Sequence, residues 1–373
     1  MKKFIICCAL SLILFLVPCV CFADDDIDLI IEQELGLYDF SAWNYSDEDF
    51  SFDARSLIKQ KASGEDEFKI GSIADFVIQK VKNTLLGKLP ICIALIASAV
   101  MSGLCATLLP DEKSSLRELI SFISCAMCIS LITVMICDTV KGALESADRV
   151  CAFSEAAYPV IALLLVASGH GATEAVFSPA MAFLTNSVTA FIRAFVIPII
   201  IAGFVLAIIN SFAGKTQIGK LFSLSKSTVK WICGAVTSVF LGAVTIYGIG
   251  AKAHDSLVLK TTKYVIDKSV PFAGGLISGS ADTVLECFTA IKVSSGVVFM
   301  IIAVIIVMQT LFDILGVIFA LKITAAVCEP VSDERIPKLL GGVADIAKCL
   351  FGVIAIMDTM LIITVALCTC ILN

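Results

Sequence analysis

Charged side chains are scarce in this sequence. Asp, Glu, Lys and Arg make up 16% of its 373 residues, where a soluble domain carries about a quarter. A chain so short of charge cannot dress a globular surface for water, and its mean hydropathy of +0.98 agrees. Histidine is scarcer still. His170 and His254 are the only two, and neither has a second ligand nearby, so no histidine-based metal site is expected. There is no basic face, aromatics make up 8%, and the net charge is −6. Nucleic acid is therefore excluded as a partner. Cysteine is plentiful at 16, but segment 24–80 has none and most cysteines sit in apolar runs. That pattern excludes a disulfide framework. Cys125 and Cys128 have redox-motif spacing inside an uncharged helix, where cysteine acts as a small hydrophobe.

What is there is long apolar runs, so the chain reads as an all-α, polytopic integral membrane bundle. Residues 1–23 read as a signal peptide. Lys2 and Lys3 precede an apolar core, 4–17, and Cys21-Phe22-Ala23 offers small residues before three aspartates. Residues 24–88 form a polar, acidic extracytoplasmic segment. Its end, 70–86, is amphipathic (Ile73, Phe76, Val77, Val81, Leu85) and suits a helix lying on the membrane surface. Residues 89–373 form the multi-pass domain. Its expected spans are 91–109, 119–137, 194–212, 231–251, 293–312 and 349–372. A charged connector, 138–155, follows the second span.

Loop lysines set the orientation. Residues 213–230 hold Lys215, Lys220, Lys226 and Lys230 and no acid, which places them in the cytoplasm and segment 24–80 outside. Residues 156–192 must then leave and return on one side. They carry Pro159 and Pro179 within apolar stretches, separated by Gly169, His170, Gly171 and Glu174. A broken or re-entrant helix pair satisfies this, because irregular backbone at membrane depth must be covered by protein or water.

The stretch "DKSVPFAGGLISGSADTVLE", residues 267–286, raises a nucleotide site. A P-loop needs Lys and then Ser or Thr after its last glycine. Here Ser280, Ala281 and Asp282 follow Gly279, and the acid repels phosphate. The structural reading has Pro271 ending one helix, Gly274 and Gly275 making a turn, and Ser280 or Asp282 capping the next helix.

The longer block "TTKYVIDKSVPFAGGLISGSADTVLECFTAIK" resembles the most characteristic block of the stage III sporulation protein AE family. "AYPVIALLLVASG" followed by "FSPA" resembles that family's broken pair. "IGKLFSLSKSTVKWICGAVTSVFLGAVTIYG" and "LKITAAVCEPVSDERI" resemble its lysine loop and C-terminal loop. The likeness covers about residues 90–373. Two departures are Val293-Ser294 after Ile291-Lys292, and Glu329 before Pro330.

The resemblance implies a bacterial endospore-former and a membrane component of the secretion-like channel complex linking mother cell and forespore. It implies the mother-cell membrane around the forespore as location and late forespore development as the process. It also implies partners among the other channel-complex proteins, including an ATPase, and leaves room for a homo-oligomer. It implies no cofactor and no catalytic residue.

Two rival classes remain. A secondary transporter would use the interrupted pair at His170 and Glu174, with Arg193, Asp313 and Asp358 along an ion path; no internal repeat supports it. An intramembrane enzyme would need Asp313 and Asp358 as a dyad, and neither lies in a Gly-rich motif. The plainer reading of Asp358 is a helix–helix hydrogen bond, and of Asp313 a residue at the water boundary.

Overall fold

The computed structural model describes residues 45–47, 50–52, 70–108, 114–167, 171–212, 216–269, 274–332 and 334–370. In the acidic segment two short strands, β1 (Tyr45–Asp47) and β2 (Phe50–Phe52), pair antiparallel with Tyr45 opposite Phe52. Everything else described is helical. The helices are α1 (Ile70–Leu108), α2 (Ser114–Ala167), α3 (Gly171–Phe191), α4 (Ile197–Phe212), α5 (Thr216–Ser269), α6 (Gly274–Cys328) and α7 (Arg335–Cys370). A single π turn, Ile192–Val196, joins α3 to α4. Six stretches are long and apolar enough to cross a membrane: Lys82–Leu104, Phe122–Glu155, Pro179–Ser211, Ile218–Ile246, Val298–Cys328 and Arg335–Thr364. In lipid a backbone must satisfy its own hydrogen bonds, so runs this apolar become helices.

Specific contacts fix the direction of each rod. Thr84 on α1 donates to Asp313 on α6 at 3.0 Å, and Gly103 lies against the backbone of Val331, just past α6. The two helices are therefore parallel. Helix α2 runs the other way: Ser98 donates to the Ser124 carbonyl at 3.2 Å, while Phe153 stacks on Phe299 at 4.3 Å. Tyr158 meets Thr185 at 3.2 Å, so α3 reverses again. Ser225 faces Gly203, and Ile346 packs on the same glycine, which sets α5 and α7 antiparallel to α4. The result is an up-and-down bundle. Connections 109–113, 213–215 and 329–334 gather at one end; 168–170 and 270–273 gather at the other.

The α6–α7 hairpin is the centre. Helix α7 is the most buried span, followed by α6, while α1 and α5 are the most exposed. Leu339, Leu340, Val343, Ala344, Leu350 and Val353 are fully enclosed. Gly342 lets α7 approach Ala207 and Phe222, the close packing that small residues permit between membrane helices. Buried hydroxyls are mostly satisfied within their own helix, as where Thr139, Ser154 and Thr364 bond the carbonyl four residues back. Cys125 and Cys128 are buried free thiols, and Cys128 donates to Ser98 at 3.5 Å.

The structure corrects four boundaries. The amphipathic stretch 70–86 and the first span are one helix through Pro90, because a proline removes one hydrogen bond and an apolar setting still favours helix around it. The connector 138–155 is helical and continuous with the span before it. Residues 156–167 and 171–191 do pack as an antiparallel hairpin, but each arm belongs to a longer helix: Pro159 lies inside α2 and Pro179 inside α3. Helix α6 already begins at Gly274, so Gly274 and Gly275 form its first turn, and Ser280 and Asp282 lie in its interior instead of capping it. No proline follows Pro271 until Pro330, so nothing interrupts the helix there. Pro271 itself lies outside the described residues.

Candidate functional site

Helices α2, α5 and α6 each hold 54 or 55 residues. At 1.5 Å per residue they reach about 80 Å, against about 30 Å of bilayer hydrocarbon. Each apolar run must therefore sit beside a polar stretch of some neighbour. The relative heights decide which.

On α2, counting one residue for one from the Phe153–Phe299 contact places 138–155 beside about residues 297–314 of antiparallel α6. That part of α6 belongs to the most hydrophobic run. The inner face of α2 here is apolar and buried: Val140, Ala143, Ala147, Val150 and Phe153. The outer face holds Asp138, Lys141, Glu145, Asp148, Arg149 and Glu155, all exposed. Their spacing keeps them within one stripe of the helix.

One member of the stripe is anchored. Arg193 donates through both guanidinium nitrogens to the two oxygens of Asp148, at 2.5 and 2.7 Å. This is the paired geometry that a planar guanidinium makes with a carboxylate. Arg193 sits within the π turn, where the Ile197 amide bonds the Ile192 carbonyl, five residues back. The cause is one residue further on. Pro198 has no N–H for the Ala194 carbonyl, and in a regular helix its ring would strike that carbonyl. Widening the turn relieves the clash, and such single π turns often mark functional positions.

A second ionic cluster lies towards the opposite end. Asp345 on α7 accepts from Lys348 at 2.8 Å and pairs with Lys226 of α5 at 3.5 Å. Lys226 also stands 4.3 Å over the Phe222 ring. Lys322 approaches Lys348 from α6.

Asp358 is 3% exposed within α7, and its Oδ2 has no hydrogen-bond partner among the described residues. The expected helix–helix hydrogen bond is therefore not made by that oxygen. Asp313 is exposed and accepts from Thr84, which fits a boundary residue. The two acids thus lie in different environments. Pro159 and Pro179 are exposed on their helices. Glu174 lies in the first turn of α3, and Gly274, Gly275 and Asp282 near the start of α6, with side chains outside the described residues. His170 is outside them altogether. Among the described residues no group of three His, Cys, Asp or Glu could hold a metal.

Sequence reading singled out Arg193 but missed Asp148, Asp345 and Lys226. The available signal was an arginine in an apolar run with Pro198 five residues on.

Alternating helices, small-residue packing and ion pairs at membrane depth define a polytopic helical membrane protein. Residues 52–371 match the family described as Stage III sporulation protein AE, and the chain belongs to that family. A stretch of 221 residues is 24% identical to the Stage III sporulation protein AE of Bacillus subtilis (strain 168), covering 59% of this chain and 55% of that protein. The chain thus aligns with about half the length of that relative. No solved structure matches.

Proposed function

We propose that this protein is a membrane component of the secretion-like channel complex that links mother cell and forespore, acting in late forespore development. The observation that carries the reading is the family match over 52–371. The six apolar stretches suit such a part. The reading includes a cleaved signal at 1–23, the mother-cell membrane around the forespore, and the 156–192 hairpin dipping into the bilayer from outside. It includes neighbours from the same complex, one of them an ATPase, and a role without catalysis. Depleting the protein in the organism that encodes it tests this. Engulfment should complete, late forespore reporters should stay silent, and heat-resistant spores should fall by orders of magnitude. Normal spore counts would remove the reading.

One observation favours a second reading. The unpartnered, buried Oδ2 of Asp358 is the kind of group that takes part in ion or proton paths. A secondary transporter with its path around Glu174 and Asp358 predicts ion-coupled uptake into vesicles holding the purified protein. Loss of that uptake in Asp358→Asn, with spore formation intact, would favour transport over a channel component.

A further inference from the structure

From the exposed charged stripe of α2, set beside the apolar run of α6 while the outer faces of α4 and the π turn at the same height are apolar, we infer that this face lines a water-filled lumen enclosed by copies of this chain. The inference deepens the channel reading and rests on it for the purpose of the lumen, though not for its geometry.

The heights come from three contacts. Phe153 stacks on Phe299, Arg193 binds Asp148, and Thr84 binds Asp313. The first sets the stripe against α6. The second ties it to α3 and α4: counting from that pair, Phe195 stands level with about residue 146 of α2, and Ile201 with about residue 140. The third brings Lys82 and Asn83 of α1, both exposed, to the neighbourhood of Asp313.

At one height the molecule therefore has two kinds of outer surface. The α2 side offers Asp138, Lys141, Glu145, Asp148, Arg149 and Glu155 to whatever lies outside. The α4 side offers Phe195, Ile201 and Val205, 58%, 46% and 51% exposed. Hydrocarbon suits the second surface and rejects the first, because ionised side chains inside a bilayer face a bundle interior or a water-filled cavity. Water suits the first and wastes the second.

A single copy cannot meet both demands. A ring can, since a closed assembly of identical chains turns the same face of each inward. The stripe also carries both signs, four acids and two bases, so it suits water and small ions better than a lipid headgroup or a polyanion. Such a lumen needs no change in any helix. The Arg193–Asp148 pair would stand at the seam between the wet and lipid-facing surfaces.

Nitroxide labels test this directly. Single cysteines replace Lys141, Glu145, Ala152, Phe195 or Ile201 in full-length protein whose native cysteines are serine or alanine. The protein is reconstituted in phosphatidylethanolamine–phosphatidylglycerol vesicles. Relaxation by oxygen, which concentrates in hydrocarbon, is compared with relaxation by a water-soluble nickel chelate. Nickel should dominate at 141, 145 and 152, and oxygen at 195 and 201. Labels at 152 should also show dipolar coupling between copies. Ala152 is exposed and uncharged, so its label perturbs least if the charged positions fail to fold.

Three results overturn the inference. Oxygen dominating at 141, 145 and 152 places the stripe in lipid. Nickel dominating at 195 and 201 places this height outside the bilayer. Absence of coupling between copies at 152 leaves another protein, or bulk water, facing the stripe. These readings come from purified protein and stand whether or not a depleted strain sporulates.

Discussion

Arg193 and Asp148 are tied by two charge-assisted bonds although 45 positions separate them in the chain. The pair is the cross-link between α2 and the π turn. Both side chains are about half exposed, so in plain water the pair would contribute little, and its weight depends on what surrounds it. Reversing one charge, in Asp148→Arg or Arg193→Asp, should lower the yield of folded protein from membranes several-fold. The double reversal should recover most of it. A double variant no better than the worse single one would show that the pair is incidental.

Pro198 predicts a separation of stability from function. Pro198→Ala returns an N–H to the helix and removes the ring clash, so the reason for a widened turn disappears. The melting temperature in detergent should hold or rise. The turn should tighten, which rotates Arg193 away from Asp148. The charge-reversal rescue should then fail in the Pro198→Ala background. Rescue as strong as before would mean that packing, and not the proline, holds the π turn open.

The sequence was more informative about elements than about their heights. Runs such as 293–312 announced themselves because membrane helices have one strong signal, sustained hydropathy. Segment 138–155 looked like a solvated connector because charge ordinarily marks a loop. Its buried face, Val140, Ala143, Ala147, Val150 and Phe153, is visible only at helical period and was overshadowed by the six charges. Prolines 90 and 159 suggested boundaries that neighbouring helices override. The partner of Arg193 was illegible because a long-range ion pair leaves no local trace. Asp345 and Lys226 were passed over for the same reason, since they meet only across two packed helices.

The alternating bundle ties two distant positions to one side. Lys220 and Lys338 are both exposed, and both lie near the end where 213–215 and 329–334 gather. If that end is cytoplasmic, single cysteines at either position should ignore a membrane-impermeant maleimide in intact cells. Both should react once the membrane is opened. Reaction of one but not the other in intact cells would break the bundle topology. Reaction of both would keep the topology and reverse its orientation.

Asp358 should tolerate loss of its charge in folding terms. A buried polar atom without a partner is a burden, and apolar or amide replacement of such a group is often neutral or stabilising. Asp358→Asn and Asp358→Leu should accumulate in membranes at wild-type level and melt no lower. Heat-resistant spores should nonetheless fall at least tenfold if this carboxyl is kept for function. Wild-type spore counts in both variants would mean that it has no task beyond filling space. Collapse of both proteins would point to a partner that only the assembled complex supplies.

Glycines give the sharpest contrast in packing. The Val331 carbonyl occupies the place where a Cβ on Gly103 would stand, whereas nothing lies within 4 Å of a Cβ built on Gly234. The obstacle at Gly103 is backbone, so no rotamer change can clear it, and α1 would have to separate from the turn between α6 and α7. Gly103→Ala should therefore sharply reduce the folded fraction, by melting in detergent or by limited proteolysis. Gly234→Ala meets open space inside a helix and should stabilise by up to about 1 kcal/mol, the intrinsic preference of alanine over glycine. Equal melting temperatures for the two variants would show that α1 does not pack against Val331 in the membrane. A stable Gly103→Ala protein that no longer supports sporulation would mean that the contact closes only in one working state.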